Sequence, residues 1–111
     1  MNSITWADFE KIDIRTGTIT EVSDFLKARN PSYQLKIDFG ELGIKKSAAQ
    51  IVVHYKKEDL VGKQVIAVVN FAPKQIANFF SECLVLGVYT AEKQVILLQP
   101  QQMVTNGMKI G

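Results

Sequence analysis

Tyr33, Leu35, Ile37 and Phe39 alternate with Gln34, Lys36 and Asp38. A period of two puts the four apolar side chains on one face of an extended chain and the polar ones on the other, the pattern of a half-buried strand. Further extended segments surround it. Gly40-Glu-Leu-Gly43 turns the chain back into Ile44–Ile51. Gln64–Phe71 and Leu84–Tyr89 are dense in Val, Ile and Leu and read as central strands, and Val95–Leu98 closes the set. Ile12, Ile14 and Ile19 change parity around Gly17, which predicts a bulged or sharply bent first strand. Helical signals are few. Thr5 is a good N-cap with Asp8 three residues on, so Thr5–Glu10 is expected to form a short helix with Trp6 and Phe9 on one face. The polar segment His54–Leu60 suits a helical turn before Gly62, and Asn106-Gly107 marks a turn in a C-terminal tail.

Five or six short strands in 111 residues suit one domain, residues 1–111, whose sheet curls on itself. The expected fold is all-β: a five-stranded Greek-key OB-fold barrel with a short helix between strands 3 and 4, a short N-terminal helix and a C-terminal tail. A sandwich of similar strand count is the alternative from pattern alone. Composition narrows the function classes. No apolar run approaches the roughly 18 residues that cross a bilayer, and the N-terminus lacks the basic and apolar regions of a signal peptide. The single cysteine, Cys83, allows no internal disulfide, so a reducing cytoplasm is the expected compartment. Net charge is +2, and only Arg15 and Arg29 carry the guanidinium fork that grips phosphate. Such a balance permits nucleic-acid binding without arguing for it.

Candidate site residues cluster in two places. Lys45 and Ser47 share one face of the Ile44–Ile51 strand, and Lys46 takes the other. Around the segment 70–82, Asn70, Lys74 and Ser81 offer neutral or cationic contacts to a backbone, whether peptide or sugar-phosphate. Phe79 and Phe80 are adjacent, so one faces the core and the other is free to stack on a base or on an apolar side chain. Glu82 reads as structural, and Arg15 reads either as a phosphate contact or as the partner of Asp13. His54 and Cys83 are the only residues of their kinds, too few for a zinc site. With no phosphate loop, nucleophile elbow or carboxylate pair, the chain is expected to be a non-enzyme with no metal and no cofactor.

Several stretches carry a resemblance. Asp13-Ile-Arg15-Thr-Gly17-Thr-Ile19 resembles the opening strand of the tRNA-binding OB-fold domain family, and Ile44-Lys-Lys-Ser-Ala-Ala-Gln-Ile51 its third strand. Val65–Asn70 leads into Phe71-Ala-Pro-Lys-Gln-Ile-Ala-Asn-Phe-Phe80. That loop and Ser81-Glu-Cys-Leu-Val-Leu-Gly87 are similar to the CsaA-type export chaperones of the family. Leu97-Leu-Gln-Pro100 and Asn106-Gly-Met-Lys-Ile110 match the family's tail. The resemblance implies a homodimer whose interface takes in Trp6, Phe9, Met108 and Ile110. It implies a chaperone that binds unfolded or precursor polypeptides without ATP through Lys45, Ser47, Asn70, Lys74, Phe79, Phe80 and Ser81. The alternative it implies is nonspecific tRNA binding by the same face. Relatives tend to carry arginine where this chain has Lys74 and Gln75, and lysine where it has Phe80, so the loop here has lost two charges and gained an aromatic. That substitution favours peptide over tRNA.

Overall fold

The computed structural model describes residues 1–111. Helix α1 (Trp6–Glu10) opens on the expected capping box. The Thr5 N–H donates to Asp8 Oδ2 at 3.1 Å, and the Asp8 N–H donates to Thr5 Oγ1 at 3.2 Å, which satisfies two donors a short helix leaves free. Strand β1 (Ile14–Asp24) is the backbone of the fold. Its first half pairs antiparallel with β4 (Gln64–Val68) and its second half with β2 (Tyr33–Asp38), the two ladders meeting at Thr18. The bulge lies between Ile19 and Glu21 rather than at Gly17. Gly17 has a different cause: a Cβ there would come within 2.7 Å of Ile37 and Phe39, so the strand is pressed against the core at this point.

Strand β2 keeps its predicted alternation. Tyr33, Leu35, Ile37 and Phe39 are all buried, and Lys36 is exposed. A 3₁₀ turn (Gly40–Leu42) leads into β3 (Ile44–Ala49), which pairs with β2, and helix α2 (Lys57–Leu60) precedes β4, sending Leu60 into the core. Two residues, β7 (Leu84–Val85), add to the far edge of β4, so the sheet runs β3-β2-β1-β4-β7. Two hairpins stand apart from it: β5 (Lys74–Ile76) with β6 (Phe79–Ser81), and β8 (Gly87–Tyr89) with β9 (Val95–Leu97). Order, connectivity and the position of α2 make this an OB-fold.

The segment Leu84–Tyr89, expected to be one central strand, is two short edge pieces split at Leu86. Leu84, Val88 and Tyr89 are exposed. Apolar density alone did not distinguish a buried strand from a strand that presents its side chains outward. Gly87 is where the chain is squeezed: a Cβ would run into the Val95 side chain and meet the Ile96 carbonyl oxygen at 2.7 Å.

The barrel closes between β3 and the segment 81–83, largely through side chains. The Lys46 N–H donates to Glu82 Oε1 at 2.9 Å, and the Glu82 N–H to the Lys46 carbonyl at 2.8 Å. The Ala48 N–H donates to Ser81 Oγ at 3.2 Å, and Ser47 Oγ donates to the Cys83 carbonyl at 3.0 Å. Side-chain oxygens thus take the place of missing ladder carbonyls, and β3 is not left as a bare edge. The C-terminal tail does the same for β1 where β2 has ended. The Gly107 N–H donates to the Thr16 carbonyl at 2.7 Å, the Thr16 N–H to the Met108 carbonyl at 3.0 Å and the Ile110 N–H to the Ile14 carbonyl at 2.8 Å. Gln64, almost fully buried, pins the tail further upstream: Nε2 donates to the Val104 carbonyl at 2.7 Å and to Asn106 Oδ1 at 3.2 Å, and Oε1 accepts the Val104 N–H at 3.1 Å.

Candidate binding site

Beyond β4 the chain leaves the barrel at Asn70. Its side chain clamps the N-terminal connection, with Oδ1 accepting the Asp13 N–H at 3.0 Å and Nδ2 donating to the Lys11 carbonyl at 2.7 Å. Both ends of the amide are engaged, so Asn70 braces two distant segments while the residue itself stays exposed. Ser47, expected to bind, is instead spent on the fold. It is 1% exposed, opposite buried Leu35, with its hydroxyl spent on barrel closure. Ser81 is half-buried and doubly used, accepting from Ala48 and donating to the Cys83 carbonyl at 3.3 Å. Glu82 is structural, as expected.

The β5–β6 hairpin decides the two phenylalanines. Phe79 turns inward, 5.3 Å from the Phe25 ring centroid, with the Lys46 ammonium 5.3 Å from its own. Its ring packs on protein and is 9% exposed, its remaining edge facing a separate hollow with Lys36, Lys46 and Val61. Phe80 turns outward, 48% exposed, opposite Gln75. Ala77 in the hairpin turn has φ 53°, a left-handed conformation that a residue with a Cβ adopts at a cost. Lys74 is exposed and lies opposite Ser81 in the hairpin ladder.

Between β3, the loop before β5, the segment 81–85 and the β8–β9 hairpin runs a groove of about 640 Å³. Most of its lining is apolar, including Ile51, Phe71, Leu84, Val85 and Tyr89, with Lys74 and Lys93 as its two charged residues. Phe71, Leu84 and Tyr89 are exposed on its walls. Cys83 is buried at its floor, where desolvation pushes the thiol up to about 11, against an ordinary value of 9.0, and hydrogen bonding with Ser47 and the Lys45 charge only partly offset this. A thiol so held is inert at neutral pH. Of the residues expected to bind, the groove collects Lys74 and Ser81. Lys45, half-buried opposite Ile37, Phe80, Asn70 and Phe79 are not part of its lining. Phe71, Tyr89 and Lys93 escaped the sequence reading. Lys93 sits in the Thr90–Gln94 turn, and no pattern in the sequence marked it.

Arg15 forms a forked ion pair with Asp13: Nε donates to Oδ1 at 2.6 Å and Nη2 to Oδ2 at 3.3 Å, while Nη1 donates to the Gly107 carbonyl at 3.0 Å. Hydrogen bonding from Arg15 holds the Asp13 carboxyl below the usual carboxylate range. This pair anchors the tail and commits the Arg15 guanidinium to the fold. Elsewhere, Trp6 and Phe9 meet edge to face at 6.4 Å and, with Ile4, line an open hollow that includes Gly111. Trp6 is 79% exposed and Met108 49%, while Ile110 is half-buried.

A family profile described as "Putative tRNA binding domain" matches residues 14–109. The chain belongs to this family, and within it to the CsaA type. The chaperone CsaA of Bacillus anthracis is 49% identical, with TM-score 0.95, over 99% of this chain and 100% of that one. The CsaA chaperone of Picrophilus torridus is 55% identical, with TM-score 0.91, over 98% of this chain and 100% of that one. The methionine–tRNA ligase of Bacteroides fragilis is 35% identical over 108 residues, 97% of this chain, yet the chain spans only 16% of the ligase's length. The similarity to that enzyme is therefore a similarity to one part of it.

Proposed function

We propose that the chain is a CsaA-type molecular chaperone that holds extended segments of unfolded or precursor polypeptides, without ATP and without catalysis. The observation that carries this reading is the apolar groove beside the β5–β6 hairpin, with its exposed Phe71, Leu84 and Tyr89 walls. An exposed, contiguous apolar surface of this kind has a favourable use in covering apolar side chains of a client, and it offers phosphate little. Chain-length similarity to two CsaA chaperones supports the same reading. The export role, the homodimer and a cytoplasmic setting are part of the proposal. In the dimer, Trp6, Phe9, Met108 and Ile110 of the two copies cover one another, giving the exposed Trp6 face a partner. The test is suppression of aggregation of a chemically unfolded model protein in the absence of nucleotide. Suppression that falls in Tyr89→Ser and Phe71→Ser is expected, and suppression equal to that of an inert protein at the same concentration would reject the reading.

The second reading, nonspecific tRNA binding, is favoured by the family match over residues 14–109. It would rest on Lys45, Lys74 and Lys93, and it predicts binding of labelled bulk tRNA at about 50 mM salt that falls steeply by about 200 mM.

A further inference from the structure

The groove has charge of one sign only. Lys74, from β5, and Lys93, from the turn of the β8–β9 hairpin, are its two charged lining residues, and no carboxylate joins them. The nearest acidic residue in the chain to its floor, Glu82, is turned away to accept the Lys46 N–H. Glu92, next to Lys93 in the turn, is exposed and lies outside the lining. Neither ammonium has an ion-pair partner: the four salt bridges of the molecule are Lys11–Asp8, Arg15–Asp13, Lys36–Glu21 and Lys57–Asp24.

Lys93 is also held against the grain of its backbone. The turn is closed by the Thr90 N–H donating to the Gln94 carbonyl at 2.8 Å and the Lys93 N–H donating to the Thr90 carbonyl at 2.9 Å. In it Lys93 takes φ 61°, the left-handed position that glycine fills without strain. A lysine there costs about 1 kcal/mol of backbone strain. Turn geometry alone therefore favours glycine, and the side chain is what lysine adds.

We infer that the groove selects apolar polypeptide segments flanked by aspartate or glutamate, the client's carboxylates meeting Lys74 and Lys93 while its apolar side chains lie between them. This deepens, and rests on, the chaperone reading above. A sequence-tolerant apolar groove gains from such flanking contacts a direction of preference among clients, because unlike charges attract and like charges repel at its rim.

The test uses three labelled nonapeptides with one common five-residue Leu/Val/Ala centre, flanked on each side by two Glu, two Gln or two Lys. Their binding to the full chain is followed by fluorescence anisotropy. At about 50 mM salt the Glu-flanked peptide is expected to bind about fivefold more tightly than the Gln-flanked one, the gain of two exposed ion pairs, and the Lys-flanked peptide the most weakly. The preference shrinks by about 200 mM salt. Lys93→Gly is the decisive variant. It removes the ammonium and relaxes the turn, so the Glu-over-Gln preference should fall about twofold while the melting temperature holds or rises. Equal binding of all three peptides would overturn the inference and leave the chaperone reading standing. Failure of every peptide to bind would reject both. Bulk tRNA that binds while the peptides do not, and that is weakened by Lys74→Gln and Lys93→Gly, would reassign the two lysines to phosphate.

Discussion

Replacing Gln64 by methionine keeps the side chain's length and volume and removes only its polar atoms. Three hydrogen bonds to the tail disappear, at 2.7, 3.1 and 3.2 Å, and the site is almost fully buried. Each such bond contributes about 1 kcal/mol net. Burying a thioether in place of an amide returns about 1 kcal/mol. Thr18 Oγ1 still donates to Asn106 Oδ1 at 2.7 Å, so that acceptor is not orphaned. The net loss is about 2 kcal/mol. Unfolding entropy of about 2.1 cal/mol/K per residue over a chain of 111 residues converts this to a fall in melting temperature of about 9 °C. The loss should also be local. Hydrogen exchange of the Val104 amide is expected to accelerate strongly, with the Gly107 and Ile110 amides following because they hang on the same tail. The β2 amides should keep most of their protection. The assay is thermal unfolding by circular dichroism at fixed protein concentration, since dimerisation would make the midpoint concentration-dependent, together with exchange mass spectrometry. A shift below about 3 °C with unchanged protection at residues 104–110 would refute the view that Gln64 staples the tail to the barrel.

Gly17→Ala should destabilise by about 2 kcal/mol in urea unfolding, because its methyl group meets fully buried Ile37 and Phe39 at 2.7 Å in a core with no room to yield. Ala77→Gly should stabilise by about 1 kcal/mol in the same assay, by relieving the left-handed strain at φ 53° in the β5–β6 turn. If the proposed dimer forms, Trp6→Ala combined with Ile110→Asp should convert it to a monomer in light scattering coupled to gel filtration, and an unchanged dimer mass would remove that interface. Cys83 gives a pH signature. Its folded-state pKa, about 11, lies above the ordinary 9.0, so the buried thiol's contribution is complete below about pH 9 and is lost as pH rises toward 11. The stability of the wild type relative to Cys83→Ala should therefore fall by about 2 kcal/mol across that window, and thiol reagents at pH 8 should react with native protein only as fast as it opens.

Periodicity was sufficient for what depends on neighbours in the chain. Tyr33–Phe39 declared its strand and its buried face, because a pleated chain sends alternate residues to opposite sides. Thr5 and Asp8 declared a helix start, because both partners of a capping box lie within one turn. The roles around 70–83 were not legible in this way. Asn70, Ser47 and Ser81 are small polar residues of the sort that bind ligands, and nothing local distinguishes a free amide from one clamped on Lys11 and Asp13. Leu84–Tyr89 looked like core because apolar density does not encode which side of a strand another element will cover.

The sequence by itself determined the kind of sheet and the family, since alternation, turn residues and motif order are written residue by residue. Only the tertiary structure decided which polar groups are spent holding the barrel shut and which remain for a client. A hydrogen bond between Ser47 and Cys83, or between Gln64 and Val104, joins residues 36 and 40 positions apart. Whether a side chain is satisfied is thus a property of the closed barrel. The groove exists for the same reason: its walls come from β3, the loop before β5 and the β8–β9 turn, which meet only when the sheet curls.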